Sequence, residues 1–169
     1  MGEFISIPTY TDKTIDFELM QLLGGKRPEF NNLNVRYLLF TVPGSPSCVY
    51  DRSVIINPVH AVVFVADSRS RCLQANKDSL DELYYNVSQQ GIQLSEFPLV
   101  IQYNKRDHPD ALPVHDLQEK LNPWNTRYVE TIATQGIGVL ETLKAILKLA
   151  VKRRLFLFHQ EDEYERWYK

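Results

Sequence analysis

The chain of 169 residues carries only two cysteines, Cys48 and Cys72, too few and too irregularly placed for a disulfide framework or a zinc knuckle. A reducing compartment leaves such residues as thiols. The four histidines, His60, His108, His115 and His159, show no His-Glu-x-x-His or related ligand spacing, so no structural metal is expected. Basic excess is missing as well: 19 Lys and Arg stand against 21 Asp and Glu, a net charge of −2 that argues against nucleic acid as a partner. There is no run of 18 apolar residues and no charged-then-apolar leader after Met1, so neither a membrane span nor a secretory signal is indicated, and the expected location is the cytoplasm. What the chain does have is 44% hydrophobic residues, enough for the core of one globular domain. We place that domain at residues 1–153, followed by a tail at 154–169.

The periodicity changes along the chain. Phe4 to Ile7 form a short apolar stub, and in residues 14–22 Ile15, Phe17 and Leu19 alternate with Asp16 and Glu18, the period of an edge-lying strand. Gly24, Gly25 and Lys26 supply a turn into a second strand at 35–41, giving an antiparallel hairpin. Pro43, Gly44 and Pro46 then enforce a loop. Beyond it the pattern becomes strand, helix, strand, helix. Residues 61–67 are the most apolar strand and should be central, and residues 73–90 follow as a helix with Leu80, Leu83, Tyr84 and Val87 on one face. Next come a strand at 99–103, a helix at 113–121, a strand at 128–132 and a helix at 139–153 striped by Leu140, Leu143, Leu147 and Val151. This alternation predicts a three-layer α/β architecture with a mostly parallel sheet and an antiparallel edge hairpin.

The most informative stretch is Leu99-Val100-Ile101-Gln102-Tyr103, an apolar run opened by Pro98 that stops at Asn104-Lys105-Arg106-Asp107. A buried parallel strand delivers the residues at its carboxyl end to a ligand crevice. An aspartate there can accept two hydrogen bonds from the adjacent N–H and NH2 of a guanine edge, a donor pair that adenine lacks. Asn, Lys and Asp are also common turn residues, so the tetrad by itself equally describes an ordinary turn. Context has to separate the two.

The hairpin ending in Thr41-Val42-Pro43-Gly44, the strand Val62-Val63-Phe64-Val65-Ala66-Asp67-Ser68, the Asn-Lys-Arg-Asp tetrad and the loop Ala133-Thr134-Gln135-Gly136 occur in the order seen in Ras-like small GTPases. Over residues 2–151 the chain resembles the MglA family of bacterial GTPases of cell polarity and gliding motility. The resemblance implies a Ras-like fold in which Asn104 and Asp107 read guanine, Lys105 lies along the base, and Ala133 and Thr134 face the guanine oxygen. It makes Thr14 the first-switch threonine that senses the γ-phosphate through magnesium, and Gly44 the second-switch glycine. It further implies a roadblock-type, MglB-like regulatory partner.

Departures from the family pattern shape the functional expectation. The first residues here already resemble the chain beyond the usual first strand, P-loop and first helix, and Gly24-Gly25-Lys26 joins two strands rather than opening a helix, so it cannot form a phosphate nest. Ser45 stands where the family has a water-orienting glutamine, and Lys13 stands where it has an arginine that can fork onto phosphate oxygens. The pattern describes a catalytically inactive pseudo-GTPase that serves as a protein-interaction module, has no catalytic residues and holds GTP or GDP with Mg2+ weakly if at all. The alternative is an active, GTP-hydrolysing switch protein whose P-loop lies outside these residues.

In the family the first strand is central, so its slot must be filled. Residues 154–159 could return as that strand, or they could continue the last helix, since Leu155 and Phe158 extend the Val151 stripe. A strand from another chain, through self-association, is the third alternative. The final residues, acidic and then aromatic with Tyr164, Trp167 and Tyr168, suit either a docking segment or a solvated terminus.

Overall fold

The computed structural model describes residues 3–8, 14–30, 32–42, 59–93 and 95–167. The chain divides into two compact units, Met1–Pro58 and Val59–Lys169.

The first unit is an antiparallel sheet in the order β1 (Glu3–Pro8), β2 (Thr14–Arg27), β3 (Leu33–Phe40). The apolar stub is therefore a strand in its own right, and β2, expected at the edge, is the middle strand, because its first half pairs with β1 (Ile5 opposite Phe17) and its second with β3 (Leu22 opposite Tyr37). The glycine pair corrects a second expectation. Gly24 and Gly25 lie within β2, where the pairing shifts between Leu23–Arg36 and Gly25–Val35, a bulge rather than the hairpin turn. Two constraints select glycine there: Gly25 has φ of 70°, and a Cβ on Gly24 would stand 2.6 Å from Tyr37 Cε2. The turn itself comes later, in the 3-10 segment Pro28–Phe30 and in Asn32, whose φ is 59° and whose N–H donates to the Arg27 carbonyl at 3.0 Å.

The second unit is a parallel sheet in the order β4 (Val62–Asp67), β5 (Leu99–Asn104), β6 (Arg127–Glu130). The strand expected to be central, β4, is at the edge of this sheet, and Val65 is 54% exposed. Centrality belongs to β5, which has a ladder on each side. Its residues Leu99 to Tyr103 are all buried, the polar Gln102 with its hydrophobic neighbours, as in a strand covered on both faces. Each such aliphatic side chain contributes about 1.5–3 kcal/mol through its removal from water.

Among the described residues three α-helices accompany this sheet: α1 (Leu73–Ser88), α2 (Val114–Leu121) and α3 (Val139–Trp167). On α1, Leu80, Leu83 and Val87 are buried as the spacing predicts, but Tyr84 is 48% exposed and stacks on Trp124, with ring centroids 5.9 Å apart. At 100° per residue Tyr84 sits at the border of the stripe, where a ring can lie across the surface. On α3 the fully buried positions are Thr142, Ala145 and Ile146; of the expected stripe, Leu143, Leu147 and Val151 are partly buried, as is Leu149, and Leu140 departs from it at 59% exposed. The small Thr142 and Ala145 let the helix approach the strands, where Ala145 and Ile146 cluster with Val100 and Val129. Residues 154–167 continue α3 without a break, so of the alternatives open for the tail, the chain adopts the helix and not the substitute strand.

Candidate functional site

The parallel strands end together. β4 closes on Asp67 and β5 on Asn104, which are direct neighbours in the ladder, and β6 closes on Glu130, opposite Tyr103. The loops that follow these three strands therefore gather at one end of the sheet, the carboxyl end where open α/β sheets place their ligands. They are laced by backbone hydrogen bonds: Ser68 N–H donates to the Asn104 carbonyl at 2.9 Å, Arg106 N–H to the Thr131 carbonyl at 3.2 Å, and Leu112 N–H to the Ser68 carbonyl at 2.8 Å.

Within this frame each member of the tetrad has a different task. Asn104 Oδ1 accepts from the Ala133 N–H at 3.0 Å and from Thr131 Oγ1 at 3.2 Å, which fixes the amide and leaves its NH2 without a partner among the described residues. Lys105 takes φ of 63°, a left-handed conformation uncommon for a lysine, and its Nζ lies 2.7 Å from Asp67 Oδ2. Arg106 is committed elsewhere: Nε donates to Glu130 Oε2 at 3.1 Å and Nη1 to the Leu112 carbonyl at 2.6 Å. Asp107 is exposed in the turn closed by the His108 N–H on the Lys105 carbonyl at 3.1 Å, and its carboxylate has no hydrogen-bond partner among the described residues.

Ala133 and Thr134 occupy the 3-10 turn Ala133–Gln135, exposed beside Asn104. Two glycines hold that loop. Gly136, with φ of 73°, ends the turn, and Gly138, with φ of 75°, packs so closely that a Cβ would collide with the Glu130 carbonyl oxygen and stand 2.7 Å from Thr131 Cγ2. The structure thus brings Asn104, Lys105, Asp107, Ala133 and Thr134 to one end of one sheet. Of the switch candidates, Thr14 opens β2, while Lys13, Gly44 and Ser45 lie outside the described residues.

Chemically, the arrangement offers an uncommitted carboxylate and an uncommitted NH2 group on short, braced loops. Guanine presents the complement: N1–H and N2–H2 donors along one edge, N7 and O6 acceptors along another. The residues present therefore fit the base of a guanine nucleotide.

No family model matches the chain. A curated relative, the mutual gliding-motility protein MglA of Myxococcus xanthus (strain DK1622), is 41% identical over 150 residues, which is 89% of this chain and 75% of the relative. The chain belongs to the MglA family of Ras-like small GTPases. Its described elements, a parallel three-stranded sheet with three helices and an antiparallel sheet, are those of a Ras-like α/β fold, and the usual first strand and first helix are not among them.

For an MglA-family chain the sequence motifs located the tetrad but missed what holds it. Asp67 is the main omission. Its carboxylate accepts from Arg69 Nε at 2.9 and 3.1 Å, from Arg69 Nη2 at 2.6 Å, from the Arg69 N–H at 3.1 Å and from Lys105. The Arg69 guanidinium, and then Lys105, hold its pKa well below the usual carboxylate range against the opposing effect of burial. A signal was available, since strands of equal length that both end in a polar residue come into register at those residues, Asp67 beside Asn104. Asn76, also missed, ties α1 to the same place: its Oδ1 accepts from the Asp67 N–H at 3.1 Å and its Nδ2 donates to the Asp67 carbonyl at 2.8 Å.

Proposed function

We propose that this chain reads the guanine base of a nucleotide through Asn104 and Asp107 and does not hydrolyse GTP. On this reading it is a non-catalytic, interaction-competent member of its family, acting in the cytoplasm in motility or polarity. The observation that carries the first half is the tetrad's geometry: Asn104 is pinned through Oδ1 with its NH2 uncommitted, and Asp107 is exposed and uncommitted on the next turn. An ionised carboxylate on N1–H and N2–H2 makes two charge-assisted hydrogen bonds, and the Asn104 NH2 suits the N7 or O6 acceptor. Lys105 supplies a hydrocarbon stem for a base face.

The second half rests on two residues of the sequence. Where the family carries a guanidinium for transition-state charge, this chain has Lys13, and where it carries an amide that orients the attacking water, it has Ser45. A serine hydroxyl is too short to take the place of the longer amide. When bound, a guanine nucleotide would take its base contacts from the residues gathered at the carboxyl end of β5. The motility setting follows the relative named for gliding motility, and a roadblock-type regulatory protein is the partner this reading expects.

Single-turnover assays with radiolabelled GTP at high protein concentration test the reading. The expected result is no phosphate release above buffer. Release that disappears in Asp107→Ala would overturn it and establish an active switch. Titration with guanosine, GMP, GDP and GTP adds an independent check: affinity should rise little along the series if the base supplies the binding.

A further inference from the structure

Lys105 is a member of the tetrad with much conformational freedom to lose, a four-carbon stem whose side chain is 48% exposed. In this structure that freedom is already restricted. Its backbone is fixed at φ of 63°, and its ammonium is 2.7 Å from Asp67 Oδ2, on the neighbouring strand and 38 residues away in sequence. Asp67 is in turn immobilised. Arg69 grips both of its carboxylate oxygens, its backbone is bonded in both directions to the Asn76 side chain, and its own side chain is only 19% exposed.

We infer that Asp67, locked by Arg69, is a positioning residue for base recognition: it anchors the Lys105 ammonium so that the lysine stem is stretched across the site before any nucleotide arrives. The inference rests on the guanine reading above and deepens it. A flexible lysine must be ordered when a base stacks along it, whereas one tethered at both ends, by its backbone and by Asp67, loses less on binding. The tether is chemically selective too. The Lys105 ammonium is engaged by Asp67 at 2.7 Å, while the Asp107 carboxylate has no hydrogen-bond partner among the described residues and stays open to the base. Arg69 cannot replace Lys105 in this role, because its guanidinium is spent on Asp67.

The test is a double-mutant cycle read by NMR titration with GMP, using the full chain and AMP as control. Asp67→Asn should weaken GMP binding about fivefold when Lys105 is present and leave it nearly unchanged in a Lys105→Met background, a coupling of the size expected for residues in contact. A purely structural Asp67 would weaken GMP equally in both backgrounds, and that result would overturn the inference. So would unchanged GMP binding in Asp67→Asn while Asp107→Ala abolishes it, an outcome that leaves the guanine reading standing. Wild type that binds GMP no better than AMP overturns both. Should Asp67→Asn fail to fold, the ammonium of Lys105 in the ligand-free wild type decides: restricted motion with slowed proton exchange supports the tether, and free rotation contradicts it.

Discussion

The two sheets of this chain use apolar residues in opposite ways. Along β3, Val35, Tyr37 and Leu39 are half-buried while Arg36, Leu38 and Phe40 are exposed, the two-residue alternation of an antiparallel strand with unlike faces. Along β5 there is no alternation; five consecutive residues are buried, the polar Gln102 among them, and burial gives way only where the strand ends at Asn104. The difference explains where chemistry can sit. In β3 half-buried and exposed residues alternate along the strand, whereas β4 and β5 each end on a polar residue, with Asp67 and Asn104 side by side at the carboxyl end of the parallel sheet.

The sharpest way to break this contrast is truncation. Ile101→Ala should cost about 2–5 kcal/mol in urea unfolding, the range for a fully enclosed aliphatic side chain, while Leu38→Ala, at a position 54% exposed, should stay within about 1 kcal/mol. Equal losses would mean that the two strands are not differently enclosed. Next in size is the loop that braces Asn104. Gly138→Ala combines a left-handed backbone with a collision on the Glu130 carbonyl, and should destabilise by roughly 1–3 kcal/mol. It should also disturb the amide resonance of Ala133, which donates to Asn104.

A smaller effect is expected from acid. Asp67 is held below its ordinary pKa, so its contribution to stability is complete above about pH 4 and is lost as the pH falls from there through the lower native value. Thermal melts should therefore decline more steeply below pH 4 in the wild type than in Asp67→Asn, and parallel acid profiles would contradict the ion-pair geometry. Smallest of all is Ser68→Ala. The Ser68 hydroxyl is fully buried with no hydrogen-bond partner among the described residues, so its removal should be neutral or stabilising by up to about 1 kcal/mol. A loss larger than that would show that the hydroxyl is bonded after all.

Legibility in the sequence followed the strength of the local signal. The β5 strand and the tetrad were readable because an apolar run that ends abruptly has few alternative structures. The glycine pair was misread as a turn because Gly-Gly marks bulges and turns alike, and only the long-range pairing with Tyr37 and Val35 distinguishes them. On α3 the stripe was legible in part: Leu143, Leu147 and Val151 are partly buried, but the fully buried positions include the small Thr142 and Ala145, which a search for large apolar residues passes over. Lys105 was legible as part of a motif, but its tether to Asp67 was not, because that contact exists only through strand register.

The central claim, that the carboxyl end of β5 is a guanine-reading site, is met most directly by amide chemical-shift titration of the full chain with guanosine and with adenosine. Saturating shifts for guanosine confined to Asn104, Lys105, Asp107 and the 133–135 turn, absent for adenosine and lost in Asp107→Ala, are the predicted result. Equal shifts with both nucleosides, or guanosine shifts that persist in Asp107→Ala, would contradict it.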